Sequence, residues 1–428
     1  MAPLLAALRF QGSSTDELKR LDTATWEALL RFCDRAHFTL LLSDIRAEAL
    51  PAWVADRVRV NVLDNTKRQT NILNVYRALA QALDEQHLEH LVIKGFAQHP
   101  EFIKDVNLRM QSDIDIFLPA ASIDPARQVI LRMGYIELDP APHVVSDHTP
   151  TLVRKTSWQW RGNFYDPEMP PSIELHFCLW NRERMQFDVK GSEHFWDRRV
   201  QRSIDGVSFA TFDPADHVAF LSLHILRDLL VGEWVIHHVY ELAYFLNARA
   251  HDHAFWATWR VSHSDQTRSL QTIAFVLAKT WFQCEVGHEV ERNIRELSPS
   301  VRQWLRHFSD SPLEWMFTPN HDSVWLHTSL VESLVLKVAI VRHRLLPNRI
   351  PPLRAAKFAS SKRRRLAAQT SQRLPLRYVA HITDRLHHFA HVLLRGLWRG
   401  ARWWLSQRQL GKAWTGKRHD EDIAVTSL

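Results

Sequence analysis

Two acidic residues stand two positions apart in an apolar run, Asp113 and Asp115 in the stretch DIDIF. Because side chains alternate between the two faces of a β-strand, a strand here places both carboxylates on one face, with Ile114 and Ile116 in the core. Carboxylates about 7 Å apart along a strand repel each other unless a cation lies between them. A hard divalent ion, magnesium above all, is the usual partner of such oxygen ligands. Asp-x-Asp pairs are common on solvated surfaces, so it is the apolar, β-prone flanks that favour a metal site.

The stretch SIELH offers the same geometry, because Glu174 and His176 fall on one face of a second predicted strand. If this strand lies beside the first, three carboxylates converge. Two-metal phosphoryl or nucleotidyl transfer requires such a set. One ion lowers the pKa of the attacking hydroxyl, and the other neutralises the triphosphate and the leaving pyrophosphate.

A lysine and a glycine, Lys94 and Gly95, follow the β-prone run LVI. A strand that leads through this pair into a helix places a cation and backbone N–H groups at one helix N-terminus, which is an anion site by geometry. Taken alone, the pair is better explained as an ordinary turn between strand and helix with a solvated lysine.

Four stretches in this order, LVIKGFAQHP, NLRMQSDIDIFLP, GYIEL and SIELHFCLW, resemble the uncharacterised nucleotidyltransferase family of the DNA polymerase beta-like superfamily. Members typically show Lys-Gly at a turn after a strand, an arginine shortly before an Asp-x-Asp strand, and a later Glu-x-His strand. The resemblance covers residues 20 to 250. The residues that match the family pattern by position are Lys94, Gly95, Arg109, Asp113, Asp115, Glu174 and His176.

This resemblance implies a magnesium-dependent enzyme that moves a nucleoside monophosphate from an NTP to an unknown acceptor. The acceptor would be a hydroxyl or phosphate on a small molecule, a sugar or a protein. Asp113 and Asp115 would hold two magnesium ions, and Glu174 would be a third ligand or the base that activates the acceptor. The triphosphate would be bound by Lys94, Gly95, Arg109 and His176.

The predicted strands and helices indicate an α+β fold with a mixed sheet between N-terminal and C-terminal helical regions. The family resemblance implies that this sheet is a minimal nucleotidyltransferase fold. Strands are predicted at residues 91–93, 114–118 and 172–179, with a further one within 151–160. A helix is predicted at 125–133, and another opens at Asp213-Pro214, an N-cap followed by proline. The predicted segments are 1–90 (helical), 91–212 (nucleotidyltransferase-like core), 213–346 (helical domain) and 347–428 (linker and basic tail).

The last quarter of the chain carries all the excess positive charge. Residues 331–428 hold 20 Lys and Arg against 5 Asp and Glu, a net charge of +15, and the other residues sum to −8. A helix over residues 387–409 would be basic and amphipathic, with Trp403 and Trp404 on its apolar side. This pattern fits attachment to an anionic membrane surface and equally fits docking on the body of the protein. Nucleic-acid binding through the run at 362–365 ranks third.

The basic tail also supports an alternative function, a catalytically inactive scaffold of the same fold that is tethered to a membrane. Other classes are disfavoured, because the chain has only 12 glycines in 428 residues and contains no GxGxxG, HExxH or GxSxG motif. The run GKAWTGKR at 411–418 lacks the Ser or Thr of a phosphate-binding loop. His217 and His224, seven residues apart, are predicted to line a helix interface.

Three widely spaced cysteines predict no disulfide framework and a reducing compartment. The sequence shows no signal peptide and no run of about 18 apolar residues, the length that would span a bilayer. We therefore expect a cytoplasmic protein, attached through its tail to the inner face of the membrane if the membrane interpretation holds. The sequence leaves its oligomeric state open.

Overall fold

The computed structural model describes residues 1–138, 147–233, 236–317, 320–345, 390, 398–403 and 405. The chain divides into two compact units. The first comprises Met1–Leu226 with Ile236–Glu296, and the second comprises Arg227–Val235 with Leu297–Leu428. The four-segment division expected from the sequence stays a prediction.

Helices dominate the described residues, and seven strands form two sheets. The α-helices are α1 (Ala2–Ala7), α2 (Asp16–Lys19), α3 (Thr23–Ala36), α4 (Ala52–Asp84), α5 (Ile123–Arg132), α6 (Arg182–Met185), α7 (Pro214–Val231), α8 (Ile236–Ala248), α9 (His253–Ser262), α10 (Asp265–Phe282), α11 (His288–Glu296), α12 (Pro299–Phe308), α13 (Ser311–Trp315), α14 (Ser323–Leu330) and α15 (Leu334–Leu345). The strands are β1 (Leu91–Val92), β2 (Asp113–Phe117), β3 (Tyr135–Glu137), β4 (Leu152–Arg154), β5 (Ser172–His176), β6 (Val200–Ile204) and β7 (Val207–Thr211).

A five-stranded mixed sheet forms the centre of the first unit, in the order β1-β2-β5-β4-β3. β2 and β5 are parallel, and the other neighbouring pairs are antiparallel. Alternation along β2 sends Ile114 and Ile116 into the core, where both are fully buried. The predicted α+β class with a mixed sheet is therefore confirmed, as are strands at the three principal positions.

Helix α4 supports both the core and the entrance to β2. Pro51 precedes the first turn, and apolar residues at helical spacing, among them Ile72 and Leu79, are fully buried in the core that faces the sheet. Farther up the helix, Asn65 and Gln69 donate hydrogen bonds to the backbone carbonyl of Arg109 at 3.0 and 2.8 Å. Buried amide groups thus fix the segment that leads into β2.

Two elements of the first unit differ from the sequence-based expectation. The helix expected after Gly95 is wrong: the structure has only a four-residue 3-10 turn, Gly95–Gln98. Pro100 follows two residues later, lacks a backbone N–H and disfavours helical backbone in the residue before it, so the turn cannot extend. The strand pair β6 and β7, absent from the prediction, is joined by Asp205-Gly206, both with positive φ.

The helix predicted at Asp213-Pro214 is confirmed as α7, whose first residue is Pro214. The Asp213 carboxylate accepts a hydrogen bond from the backbone N–H of Ala215 at 2.9 Å. His217 and His224 are buried in this helix, and the His224 ring lies 4.9 Å from that of His238 on α8. His224 thus lines a helix interface, as predicted, whereas the His217 ring packs against Phe102 and Phe212, which lie outside the helices.

The second unit contains α12 to α15 and the described part of the tail. At residues 398–403 a helical turn packs on this unit, where Trp403 is buried against Phe308 and Arg399 pairs with Asp322. The contacts of these six residues fit the prediction in which the tail docks on the body of the protein. The linker at 347–352, the basic run at 362–365, the segment 411–418 and most of 387–409 lie outside the described residues. Across the described parts of the chain, no helix combines the length and the apolar character needed to cross a membrane.

Candidate active site

The parallel pairing of β2 with β5 brings the two acidic stretches side by side. Asp115 lies directly opposite Glu174 in the register, and Asp113 lies opposite Ser172. Because side chains of neighbouring strands at the same register point to the same face, the carboxylates of Asp115 and Glu174 share one face of the sheet. That convergence was the central structural expectation from the sequence.

Asp115 is the most buried acid of the cluster, with 2% of its surface exposed. Its Oδ1 accepts from the Lys94 ammonium at 2.7 Å and from His176 Nε2 at 2.9 Å. Burial alone would raise the pKa of Asp115, but these two partners hold it well below its usual range. Burial alone would likewise lower the pKa of Lys94, and the carboxylates of Asp115, Asp113 and Glu174 raise it instead.

Glu174 is held by the segment that precedes β4 and faces His176 on its own strand. Thr151 Oγ1 donates a hydrogen bond to Glu174 Oε1 at 2.9 Å. The other oxygen, Oε2, lies 3.8 Å from His176 Nε2 and 3.9 Å from His148 Nε2. His176 Nδ1 in turn faces Asp147 Oδ2 at 3.8 Å. Asp147, His148 and Thr151 match no acidic strand pattern and were not predicted from the sequence. They reach the site because the segment before β4 runs antiparallel to β5, with His148 bridged to His176.

Asp113 occupies the same face of β2 but differs from Asp115 in its surroundings. It is half-buried, and within the part of the chain that the structure describes, no hydrogen bond or ion pair to its carboxylate is found. Burial and the neighbouring charges of Asp115 and Glu174 raise its pKa, although Lys94 partly offsets them. A carboxylate in this position is stabilised by any cation that enters the cluster.

A glycine is required at position 95 for two reasons, its backbone conformation and the close approach of Gln111. Its φ of +67° lies in the left-handed region, and a Cβ at this position would lie 2.6 Å from Oε1 of Gln111 and closer still to the amide nitrogen. Gln111 is 2% exposed, and its amide donates to the carbonyl of Asp113 at 2.7 Å. Arg68 Nε donates to the Gln111 carbonyl at 2.9 Å. The glycine therefore makes room for a residue that fixes the start of β2.

Arg109 lies apart from the hydrogen-bonded cluster. Its Nε donates to Glu241 Oε1 on α8 at 2.8 Å, and Glu241 Oε2 accepts from Gln98 at 3.0 Å. Burial alone would raise the pKa of Glu241, but Arg109 and a hydrogen bond from His238 lower it to about 2. Arg109 also lowers the pKa of Asp113, so its charge reaches the cluster although its hydrogen bonds do not.

A cavity of about 200 Å³ is lined in part by Arg109. Aromatic rings from the N-terminal region and from α8 form much of its wall, including Phe38 and Tyr240. Arg109 and Glu241 contribute charged groups to the same wall. The cavity has the mixed apolar and polar lining that is typical of small-molecule sites.

Three residues of the cluster present donor atoms suited to one cation. An oxygen of Asp115, an oxygen of Glu174 and a ring nitrogen of His176 lie within 4.8 Å of one another. Two carboxylates with Asp113 beside them form the hard, oxygen-rich donor set that magnesium prefers. The structure thus brings together Lys94, Asp115, Glu174 and His176, sets Asp113 on the same face, and places Arg109 with Glu241.

Comparison with known proteins adds one match. The sequence model of a family described as uncharacterised nucleotidyltransferase matches residues 22–283, more than half of the chain. No match was found among curated proteins or among solved structures. The matched region contains every residue of the cluster described above.

Proposed function

The chain belongs to the uncharacterised nucleotidyltransferase family, and on that premise we propose that it transfers a nucleoside monophosphate from an NTP to an acceptor hydroxyl or phosphate. The observation that carries this proposal is the meeting of Asp115 on β2 and Glu174 on β5 at one register position, beside the ammonium of Lys94. Acids from two strands that converge with a buried cation form a site for a divalent ion and a phosphate chain.

Magnesium is the metal of this proposal, and Asp113, Asp115 and Glu174 are the residues that would hold it. When bound, the metal would neutralise charge on the triphosphate and lower the pKa of the acceptor hydroxyl. The residues present fit such an ion, because an oxygen of Asp115, an oxygen of Glu174 and a ring nitrogen of His176 lie within 4.8 Å of one another and Asp113 shares their face of the sheet. The family resemblance implies two ions. The ammonium of Lys94 lies beside Asp115, so it affects whether the cluster needs a second ion.

The remaining residues of the cluster bind, orient and accept a proton. In the proposed step the acceptor oxygen attacks the α-phosphorus, the bond to the β-phosphate oxygen breaks, and pyrophosphate leaves. Where Glu174 acts as the base instead of the third metal ligand, it takes the proton of a hydroxyl acceptor; its Oε1 is held by Thr151 while Oε2 faces the two histidines. Lys94 and Gly95 would face the triphosphate. Arg109 would contribute its positive charge from the cavity side.

We place the acceptor in the cavity beside Arg109. Its aromatic walls suit the apolar body of a small molecule, and the charged pair Arg109–Glu241 offers polar contacts at one side. Arg109 lies in this wall, and its charge also acts on Asp113, so Arg109 would link a molecule seated in the cavity to the acidic cluster. A cytoplasmic location completes the proposal, supported by three cysteines that no disulfide joins.

The proposal is tested by incubating the protein with NTPs labelled at the α-phosphate and a cell extract in the presence of magnesium. The wild-type protein should transfer label to an acceptor, and Asp115→Asn should reduce transfer by at least about 100-fold. Asp124→Asn is the matched control, because Asp124 is an exposed aspartate in the first turn of α5. Equal labelling by the wild type and Asp115→Asn would contradict the proposal. Labelling by none of the proteins would favour the scaffold alternative.

A further inference from the structure

The ammonium of Lys94 lies within the acidic cluster, against Asp115. Lys94 comes directly after the buried run at β1, and its side chain is 15% exposed. Its Nζ lies 2.7 Å from Asp115 Oδ1, within a strong charge-assisted hydrogen bond. A lysine in an ordinary solvated turn would point to water, so this side chain has been drawn into the site by the carboxylates.

Asp115 Oδ1 receives a second donor from the neighbouring strand. His176 Nε2 lies 2.9 Å away, and His176 is 3% exposed. An ionised carboxylate offers about two lone-pair positions on each oxygen. Lys94 and His176 use both positions of Oδ1, so Oδ2 is the oxygen of Asp115 that remains for a metal ion.

Asp115 is also the acid in the middle of the set. Asp113 precedes it by two residues on the same face of β2, and Glu174 lies opposite it on β5. If one ion were held between Asp113 and Asp115 and a second between Asp115 and Glu174, Asp115 would have to contact both, one ion through each carboxylate oxygen. With Oδ1 already saturated by Lys94 and His176, Asp115 can serve one ion only.

We propose that this cluster binds a single divalent ion, and that the ammonium of Lys94 supplies at Asp115 the positive charge of the second ion. This inference rests on the proposed function, because it concerns the same metal and the same acids. It departs from the two-ion arrangement that the family resemblance implies. The lysine thus has a defined role in the cluster, as a fixed cation that needs no metal.

The test counts bound manganese, a paramagnetic divalent probe, by electron paramagnetic resonance of the full-length protein without nucleotide. We expect one Mn²⁺ per chain in the wild type and two in Lys94→Met, because removing the ammonium frees Oδ1 for a second ion. Lys104→Met is the matched control and should retain one ion, since Lys104 is 68% exposed and pairs only weakly with Asp44, at 3.7 Å. Lys94→Arg keeps the charge and should also retain one.

The outcomes separate this inference from the proposed function. Two bound ions in the wild type would overturn the inference and leave the proposed function intact, and this count needs no variant to fold. One bound ion in both the wild type and Lys94→Met, with the variant shown to be folded by circular dichroism, would overturn the inference that the lysine replaces a second metal ion. No bound manganese in any of the proteins would overturn both proposals.

Discussion

Replacing Gly95 by alanine should destabilise the protein by more than its backbone conformation alone explains. The φ of Gly95 is +67°, and a non-glycine residue in the left-handed region costs about 1–2 kcal/mol. The new Cβ would also overlap the side-chain amide of Gln111. Moving that amide breaks its 2.7 Å hydrogen bond to the carbonyl of Asp113 and leaves buried polar atoms unpaired, a cost of about 1–3 kcal/mol.

The expected loss in free energy of unfolding is therefore about 2–5 kcal/mol, measured by urea denaturation. Gly134→Ala is the control, because Gly134 has a φ of +88° and nothing within 4 Å of the position that a Cβ would take. It should lose only the backbone cost of about 1–2 kcal/mol. In a Gln111→Ala background the overlap is absent, and Gly95→Ala should then cost no more than the control. Equal losses for Gly95→Ala and Gly134→Ala in the native background would refute this reasoning.

Three further changes have distinct expected outcomes. His217→Phe should make the free energy of unfolding less sensitive to acid. Burial lowers the pKa of His217 to about 3, so between about pH 6.5 and 3 only the unfolded chain takes up this proton. In urea titrations the wild type should therefore lose up to about 1.4 kcal/mol more per pH unit than the variant. Thr151→Val should weaken manganese binding about 10-fold or more without unfolding the protein, because it removes the hydrogen bond that orients Glu174. An unchanged affinity in a manganese titration would show that this hydrogen bond does not position Glu174. Arg109→Met should cost about 3–5 kcal/mol in a urea titration by leaving the Glu241 charge buried without its partner, and Arg109→Met with Glu241→Leu should recover most of that loss.

Local pattern was sufficient to predict the acidic strands. Alternation in DIDIF and SIELH fixes which residues share a face, and both strands form where the pattern predicts them. The Asp205-Gly206 pair between alternating residues is also a recognised hairpin signal, so β6 and β7 could have been predicted from the same kind of evidence. The helix expected after Gly95 failed because Pro100 follows too closely for the turn to extend.

Long-range pairing was beyond the sequence pattern. That Asp115 faces Glu174 depends on the parallel register of two strands more than fifty residues apart, which no local periodicity specifies. The direction of the Lys94 side chain and the buried pair of Arg109 with Glu241 depend on the same tertiary arrangement. The family pattern named Asp115, Glu174 and His176, whereas the neighbours at 147–151 and the hydrogen bonds of the cluster follow only from the folded structure.

The binding of magnesium and an NTP, measured by isothermal titration calorimetry, tests the central claim most directly. The wild-type protein should bind the nucleotide in a magnesium-dependent manner, and Asp113→Ala with Asp115→Ala should abolish the magnesium-dependent part. Asp124→Ala should bind as the wild type does, with circular dichroism confirming that each protein is folded. Equal magnesium-dependent binding by the double variant and the wild type would contradict the account, because the acids of β2 would then have no part in holding the metal and its nucleotide.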